Sequence, residues 1–304
     1  MRNRAVLAML TCSALASFGA SAQAAAALDT AQIEQLTGLK GAFNKDENVF
    51  KVSKPRSDVK IMVDGWPMPP FMGLTSWAAF TPAHNGQTML MGDTVLLEDE
   101  VNPVMSAALD AGLEVTALHN HFFFDEPKVY FMHIGGMGEV STLASGVRKV
   151  YDKIAEVRAA DPESQKTFSS AKIVATNSIS SEPLEVILHT KGQAKDGMFK
   201  VVIGRPASMH GTPVAKEMGV NTWAAFAGSD DETVVDGDFA MTENELQTVL
   251  KSMRKEGINI VAIHQHMTHE EPRILFLHYW AKNKAAALAQ SLKNVLDAQA
   301  HVAN

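Results

Sequence analysis

Apolar and polar positions alternate in short runs through much of this 304-residue chain. A period of two predicts strands with one buried face. Such runs fall at 58–63, 76–80 and 88–91. A helical period then takes over at 102–110, with Pro103 near its start and Gly112 just past its end. Further on, Thr242-x-x-Glu245 reads as a capping box and Gly257 as the stop of another helix. Each helix leads into a strand, at 115–121 and 258–266. Turn-like Asp-Glu-Pro and Glu-Glu-Pro segments follow, then strands at 129–134 and 274–279, then amphipathic helices at 139–153 and 283–298. The predicted class is α+β: two tandem repeats of a mostly antiparallel sheet with flanking helices.

The repetition is visible in the letters. GLTSWAAF at 73–80 returns as GVNTWAAF at 219–226, an offset of 146. Gly92-Asp93 and Gly237-Asp238 are 145 apart, as are Glu98 and Glu243, Glu100 and Glu245, and Gly112 and Gly257. Repeat 1 is placed at 29–155 and repeat 2 at 181–304, with a charged and then Ser/Thr-rich linker at 156–180.

Residues 1–24 are read as a secretory signal peptide. Arg2 and Arg4 precede an apolar run to about Phe18, and Ala22-Gln23-Ala24 offers a cleavage site. A secreted, periplasmic protein is therefore expected, without a membrane span. The sole cysteine, Cys12, lies within that segment and too early for a lipoprotein site, so a mature chain would hold metal with nitrogen and oxygen ligands. Losing Arg2 and Arg4 takes the formal charge from −7 to −9. That acidity, without a Lys/Arg cluster, argues against nucleic acid and anionic membranes as partners. A hydrophobic content of 46% supplies an ample core.

The candidate chemistry lies in the histidines. His119-Asn-His121 is followed by His133, and 145 positions later His264-Gln-His266 is followed by His278. On a strand, residues two apart share a face, and a returning strand can bring the third imidazole across from them. Three imidazoles with an open fourth position form a reactive type of zinc site. Imidazole also suits copper, nickel and iron, and Met267 with His269 keeps copper open. The plainer alternative is a set of hydrogen-bonded or solvated histidines. Glu126 and Glu271 are candidate fourth ligands or general bases, against a reading as solvated turn residues. Glu98, Glu100, Glu243 and Glu245 fit helix starts better than ligation. Trp77 and Trp223 read as core or pocket wall. His84, His189, His210 and His301 have no counterpart in the sister repeat.

Thr116-Ala-Leu-His-Asn-His121, Glu126-Pro127, Met132-His133 and the Gly92-Asp93…Glu100-Val-Asn-Pro103-Val block resemble the LppY/LpqO family of secreted and lipid-anchored bacterial proteins. That resemblance carries no established activity. More distantly, His-x-His followed by His133 and Gly135-Gly136 is similar to acetolactate decarboxylase and PPC-domain proteins. This implies zinc, an α+β fold of related units, and a small carbonyl or ester substrate. Repeat 2 departs from that pattern with Tyr279-Trp280. His119-x-His121-x4-Glu126 also fits a first cupin motif, although a helix leading into the His-x-His strand does not suit an all-β barrel. The expectation is a divalent-metal protein, a hydrolase or lyase on a small-molecule substrate, with a non-catalytic zinc or copper binder as the alternative. Oligomeric state is not legible.

Overall fold

In a computed structural model, residues 28–168 and 176–303 are described. The segment read as a signal peptide and part of the expected linker lie outside them. Repeat 1 runs α1 (Thr30–Thr37), β1 (Gly41–Asn44), β2 (Val49–Pro55), β3 (Ile61–Val63), β4 (Trp66–Met68), β5 (Thr75–Pro82), β6 (Thr88–Leu97), α2 (Glu98–Asp110), β7 (Glu114–His119), β8 (Asp125–Glu126), β9 (Val129–Gly138) and α3 (Val140–Ala160). Repeat 2 has the same succession: α4 (Ser181–Leu188), β10 (Gln193–Lys195), β11 (Met198–Gly204), β12 (Ala207–Met209), β13 (Thr212–Val214), β14 (Asn221–Gly228), β15 (Thr233–Thr242), α5 (Glu243–Lys255), β16 (Asn259–His264), β17 (Glu270–Glu271), β18 (Ile274–Asn283) and α6 (Ala285–Ala303). The α+β expectation and the two-fold repeat both hold.

Twelve strands form one sheet in the order β1-β2-β5-β6-β9-β7-β16-β18-β15-β14-β11-β10. This order is a palindrome about the β7–β16 seam, where Leu118 faces Ile263. The open, helix-flanked sheet is not a cupin barrel. Alternation along the strands divides the core. Leu96, Leu118, Met132, Ile263 and Leu277 join the helices in the main core on one face. Their neighbours Val95, Leu97 and Phe131 join Ile61 and Leu74 in a satellite cluster on the other face. That cluster lies with the three-stranded sheet β4-β3-β8. Val214, Ala240 and Phe276 build the matching cluster with β13-β12-β17.

Several boundaries differ from expectation. α2 begins at Glu98 rather than 102, so Pro103 lies inside the helix. α3 runs to Ala160, which makes 156–160 helix rather than linker. β7 and β16 stop at His119 and His264, leaving His121 and His266 in the following loops.

The glutamates at the helix starts have structural work. Glu100 Oε2 accepts from Leu97 N at 2.8 Å, and Glu245 Oε2 from Thr242 N at 2.9 Å, so each closes its own helix N-terminus. Each also meets a buried or half-buried arginine, Arg56 at 2.7 Å and Arg205 at 2.5 Å.

Across the seam, each repeat grips the other's backbone. The Asn102 amide donates to Ile260 O at 3.1 Å and accepts from Ile260 N at 2.8 Å. The Gln247 amide donates to Val115 O at 2.9 Å and accepts from Val115 N at 3.0 Å. Val115 and Ile260 each begin a register shift in their ladders with β9 and β18, so the carboxamides satisfy main-chain groups at those irregularities. Asn102→Ala should therefore destabilise the protein by about 1–3 kcal/mol, the cost of stranding buried backbone groups, as read by chemical denaturation. A change under about 0.5 kcal/mol would mean that water replaces the amide at no cost.

Candidate metal centre

The histidines occupy the helix-free face. Phe131 and Phe276 belong to the satellite clusters, and His133 and His278 lie two residues further along the same strands, on the same side. Strand register adds a residue type to each site. Asp93 pairs with His133 across β6 and β9, and Asp238 pairs with His278 across β15 and β18. Residues directly opposite on antiparallel strands share a face. Trp77 and Trp223 lie opposite the same aspartates on the next strands, half-buried, so they flank the sites.

The repeated Gly-Asp dipeptide thus serves both faces of the sheet. On the helix side, a Cβ at Gly237 would sit 2.2 Å from the Tyr279 ring. The missing side chain lets that ring cross β15 and donate its hydroxyl hydrogen to Trp223 O at 2.9 Å. On the other side, Asp238 is 2% exposed and its Oδ1 has no hydrogen-bond partner.

In repeat 2 the groups converge. His266 Nε2 lies 3.0 Å from Asp238 Oδ2 and 3.1 Å from His264 Nε2. His264 Nε2 is 3.9 Å from the same carboxylate oxygen. Among the described residues, Asp238, His264 and His266 are the group of three whose ligand atoms all lie within 4.8 Å of one another. His278 stacks on His264 at 4.6 Å between ring centroids. Two ring orientations are fixed from behind. His266 Nδ1–H donates to Gly219 O at 3.1 Å and His278 Nδ1–H donates to Gly237 O at 3.2 Å. A carbonyl can only accept, so in each neutral ring the lone pair is left on Nε2. This is the tautomer that an Nε2-bound metal requires, held by the kind of outer partner metal-binding histidines use. Gly219 reaches its position with φ 81, which favours glycine.

Burial, reinforced by His278 and His266, pushes the His264 imidazole down to about 4. Burial pushes the Asp238 carboxyl up, although His278, His266 and the backbone N of Phe239 pull against it. The unfolded chain therefore binds a proton at His264 between pH 6.5 and about 4 that the folded chain refuses, so stability falls as pH drops through that window. Asp238 acts in the opposite direction. Comparing metal-free wild type with His264→Leu isolates the imidazole: the wild type should lose more stability between pH 6.5 and 4.5 in urea titrations. Parallel pH curves would contradict this.

Repeat 1 gathers the same residue types more loosely. His119 lies 5.2 Å from His121 and 5.1 Å from His133, centroid to centroid. The His121 ring stacks on Phe131 at 3.3 Å, and burial with His119 and His133 pushes its pKa down while Asp93 resists. No group of three, with His119, His121 and His133 or with Asp93, closes to 4.8 Å in repeat 1 among the described residues.

Glu126 and Glu271 are not brought to the imidazoles. Both are exposed, in strands paired with Met62 and Ser208, and neither carboxylate joins the ligand group. Their buried neighbours turn inward instead: Asp125 accepts from Val129 N at 2.7 Å and Glu270 from Ile274 N at 3.3 Å. The Glu-Pro bonds that follow are cis in both repeats. The aspartates were the residues that sequence reasoning missed. Their signal was the Gly-Asp pair repeating at the same 145-residue offset as the histidines.

A family model described as Domain of Unknown Function (DUF1259) matches residues 31–153 and, separately, 182–298. The chain belongs to the DUF1259 family. Its two matched stretches coincide with the two structural repeats, so this DUF1259 protein carries the family's domain in tandem. Comparison with curated proteins gives no match. Two solved structures are similar at a low level. One is the double-ringed trimeric shell protein of the RMM microcompartment, 12% identical over 73% of this chain and 85% of that one, with a TM-score of 0.18. The other is the trimeric bacterial microcompartment shell protein PduB, 10% identical over 85% of this chain and 89% of that one, with a TM-score of 0.22.

Proposed function

We propose that this DUF1259 protein is metal-dependent, with its working centre at Asp238, His264 and His266 of repeat 2. The observation that carries the reading is the convergence of His264 Nε2, His266 Nε2 and Asp238 Oδ2, with the His266 tautomer set by Gly219 O. Two neutral imidazoles and one carboxylate suit a borderline divalent ion, zinc before copper. His278, also oriented with Nε2 free, stands as a fourth ligand or a hydrogen-bonding neighbour. Three ligands and an accessible position make an open site rather than a closed structural one. A bound divalent ion supplies Lewis acidity, which polarises a carbonyl oxygen and brings the pKa of water to about 7. The chain itself contributes a buried carboxylate, the His266 and His278 rings oriented by the carbonyls of Gly219 and Gly237, and the half-buried Trp223 as a wall. We infer a hydrolase or lyase acting on a small carbonyl or ester compound, outside the cytoplasm. The likeness to LppY/LpqO proteins belongs to the same proposal.

The test is metal analysis of protein prepared without chelators or nickel columns, followed by assays with ester and 2-hydroxy-acid panels. At least one equivalent of zinc in wild type, one equivalent fewer in His266→Ala, and zinc-dependent turnover are expected. Bound metal without turnover would turn the reading to a non-catalytic metal carrier. A metal-free active preparation would end it.

A further inference from the structure

We propose that His210 and His269 form a second, peripheral site in repeat 2 for a divalent transition cation that prefers imidazole nitrogen. It shares no residue with the Asp238 centre and does not rest on that reading. His210 sits at the tip of the β12–β13 hairpin, directly after β12, and His269 lies in the loop just before β17. Both are exposed, and their rings approach to 5.1 Å between centroids with a 37° tilt. Two imidazoles sharing a tetrahedral ion through bonds of about 2.0–2.1 Å place their centroids roughly 5 Å apart. The pair already has that spacing.

Backbone conformation alone does not account for it. His210 and His269 have φ 50 and 63, in the left-handed region where histidine is tolerated. The corresponding residues of repeat 1, Asp64 and Phe124, have the same conformation, with φ 50 and 58. There the two loops are tied by Asp64 N donating to Phe124 O at 3.2 Å. The same loop geometry therefore forms without imidazoles. Repeat 2 carries a histidine at both positions, 59 residues apart in sequence, and the two rings meet.

A second observation points to a cation. Glu270 follows His269 and lies across the ladder from Met209, the residue before His210. It is 6% exposed, and its Oε2 has no hydrogen-bond partner. In repeat 1 the matching Asp125 has a cation, Lys128 at 3.0 Å. In repeat 2 the matching Arg273 pairs with Glu243 instead, at 3.4 Å. The buried carboxylate next in sequence to His269 thus lacks the positive partner that its sister has. A divalent ion on the two rings would bring positive charge to the same loop.

The experiment titrates metal-free, full-length protein with Zn2+, reading stoichiometry by equilibrium dialysis and the imidazole resonances by NMR. Wild type, His210→Ala/His269→Ala and Asp238→Ala are compared. Both histidines are exposed loop residues, so an unchanged melting temperature is the check that the double variant folds. The double variant should bind one equivalent fewer than wild type, and the His210 and His269 resonances should shift on metal addition. Single His210→Ala should weaken that equivalent at least ten-fold. Unchanged stoichiometry in the double variant, or unmoved His210 and His269 resonances, would overturn the proposal. Asp238→Ala removes a different equivalent if the central site is real, so the two readings can fail separately.

Discussion

Asp238→Ala is expected to reduce zinc affinity by more than a hundred-fold, while Asp93→Ala changes it by less than ten-fold. The difference follows from geometry. In repeat 2, Asp238 Oδ2 lies 3.0 Å from His266 Nε2 and within 3.9 Å of His264 Nε2, so alanine removes the only charged member of a three-atom cradle. Altering even an outer partner of a metal ligand costs 10–100-fold, and a direct ligand costs more. In repeat 1 the histidines gather, and His121 stacks on Phe131 much as His266 stacks on Phe276, but among the described residues no three ligand atoms including Asp93 are so close. Competition against a chelating dye would measure both variants. Equal losses in the two would show that the halves are equivalent and that the asymmetry has no chemical meaning.

Glu100→Ala should be the most destabilising of the charge substitutions, at about 3–5 kcal/mol, because it strands buried cations. Glu100 is fully buried and takes both Arg56 nitrogens, at 2.7 and 3.0 Å. Arg158 Nε lies 2.8 Å away on its other side, and Arg158 also pairs with Asp99. Alanine leaves two arginines in a dry place with one fewer carboxylate, and opens the N-terminus of α2 at Leu97 N. Glu245→Ala should cost roughly half as much. Its arginine, Arg205, is 24% exposed and can turn to water, and Gln299 replaces the second cation. Burial pushes the Glu245 carboxyl up, but bonds from Arg205, Thr242 N and Gln299 outweigh it and hold it low. Urea unfolding of both variants reads the difference. A Glu100→Ala cost below about 1 kcal/mol would mean that the arginines find water in the folded state.

The repeats, the strand-and-helix succession and the doubled histidine triple were legible because they rest on residue type and spacing alone. The aspartates were not. Asp93 is 40 residues from His133 in sequence, and only the β6–β9 register places them side by side. A register is a long-range fact with no local signal. The start of α2 was misplaced for a local reason. Repeat 2 has Thr242 at the cap position and repeat 1 has Leu97, so only half of the capping pattern is present to read. Glu126 and Glu271 were attractive as bases because acids near histidines suggest proton transfer. In the structure Asp125 and Glu270 are the buried acids of these segments, and Glu126 and Glu271 are left exposed. His210 and His269 looked unrelated in the sequence because a 59-residue loop closure had to be known first.

The mutual amide grip at the β7–β16 seam has an implication for the evolutionary history of the chain. Asn102 completes the backbone of repeat 2, and Gln247 completes that of repeat 1. Severed from its sibling, either half would lose that contact and present β7 or β16 as a bare, unpaired rim, open to sticking to other chains. A single-copy ancestor would have met this hazard by pairing with itself. In that view the present protein is a fused homodimer, whose two halves are no longer bound to hold their histidines and aspartate at the same distances.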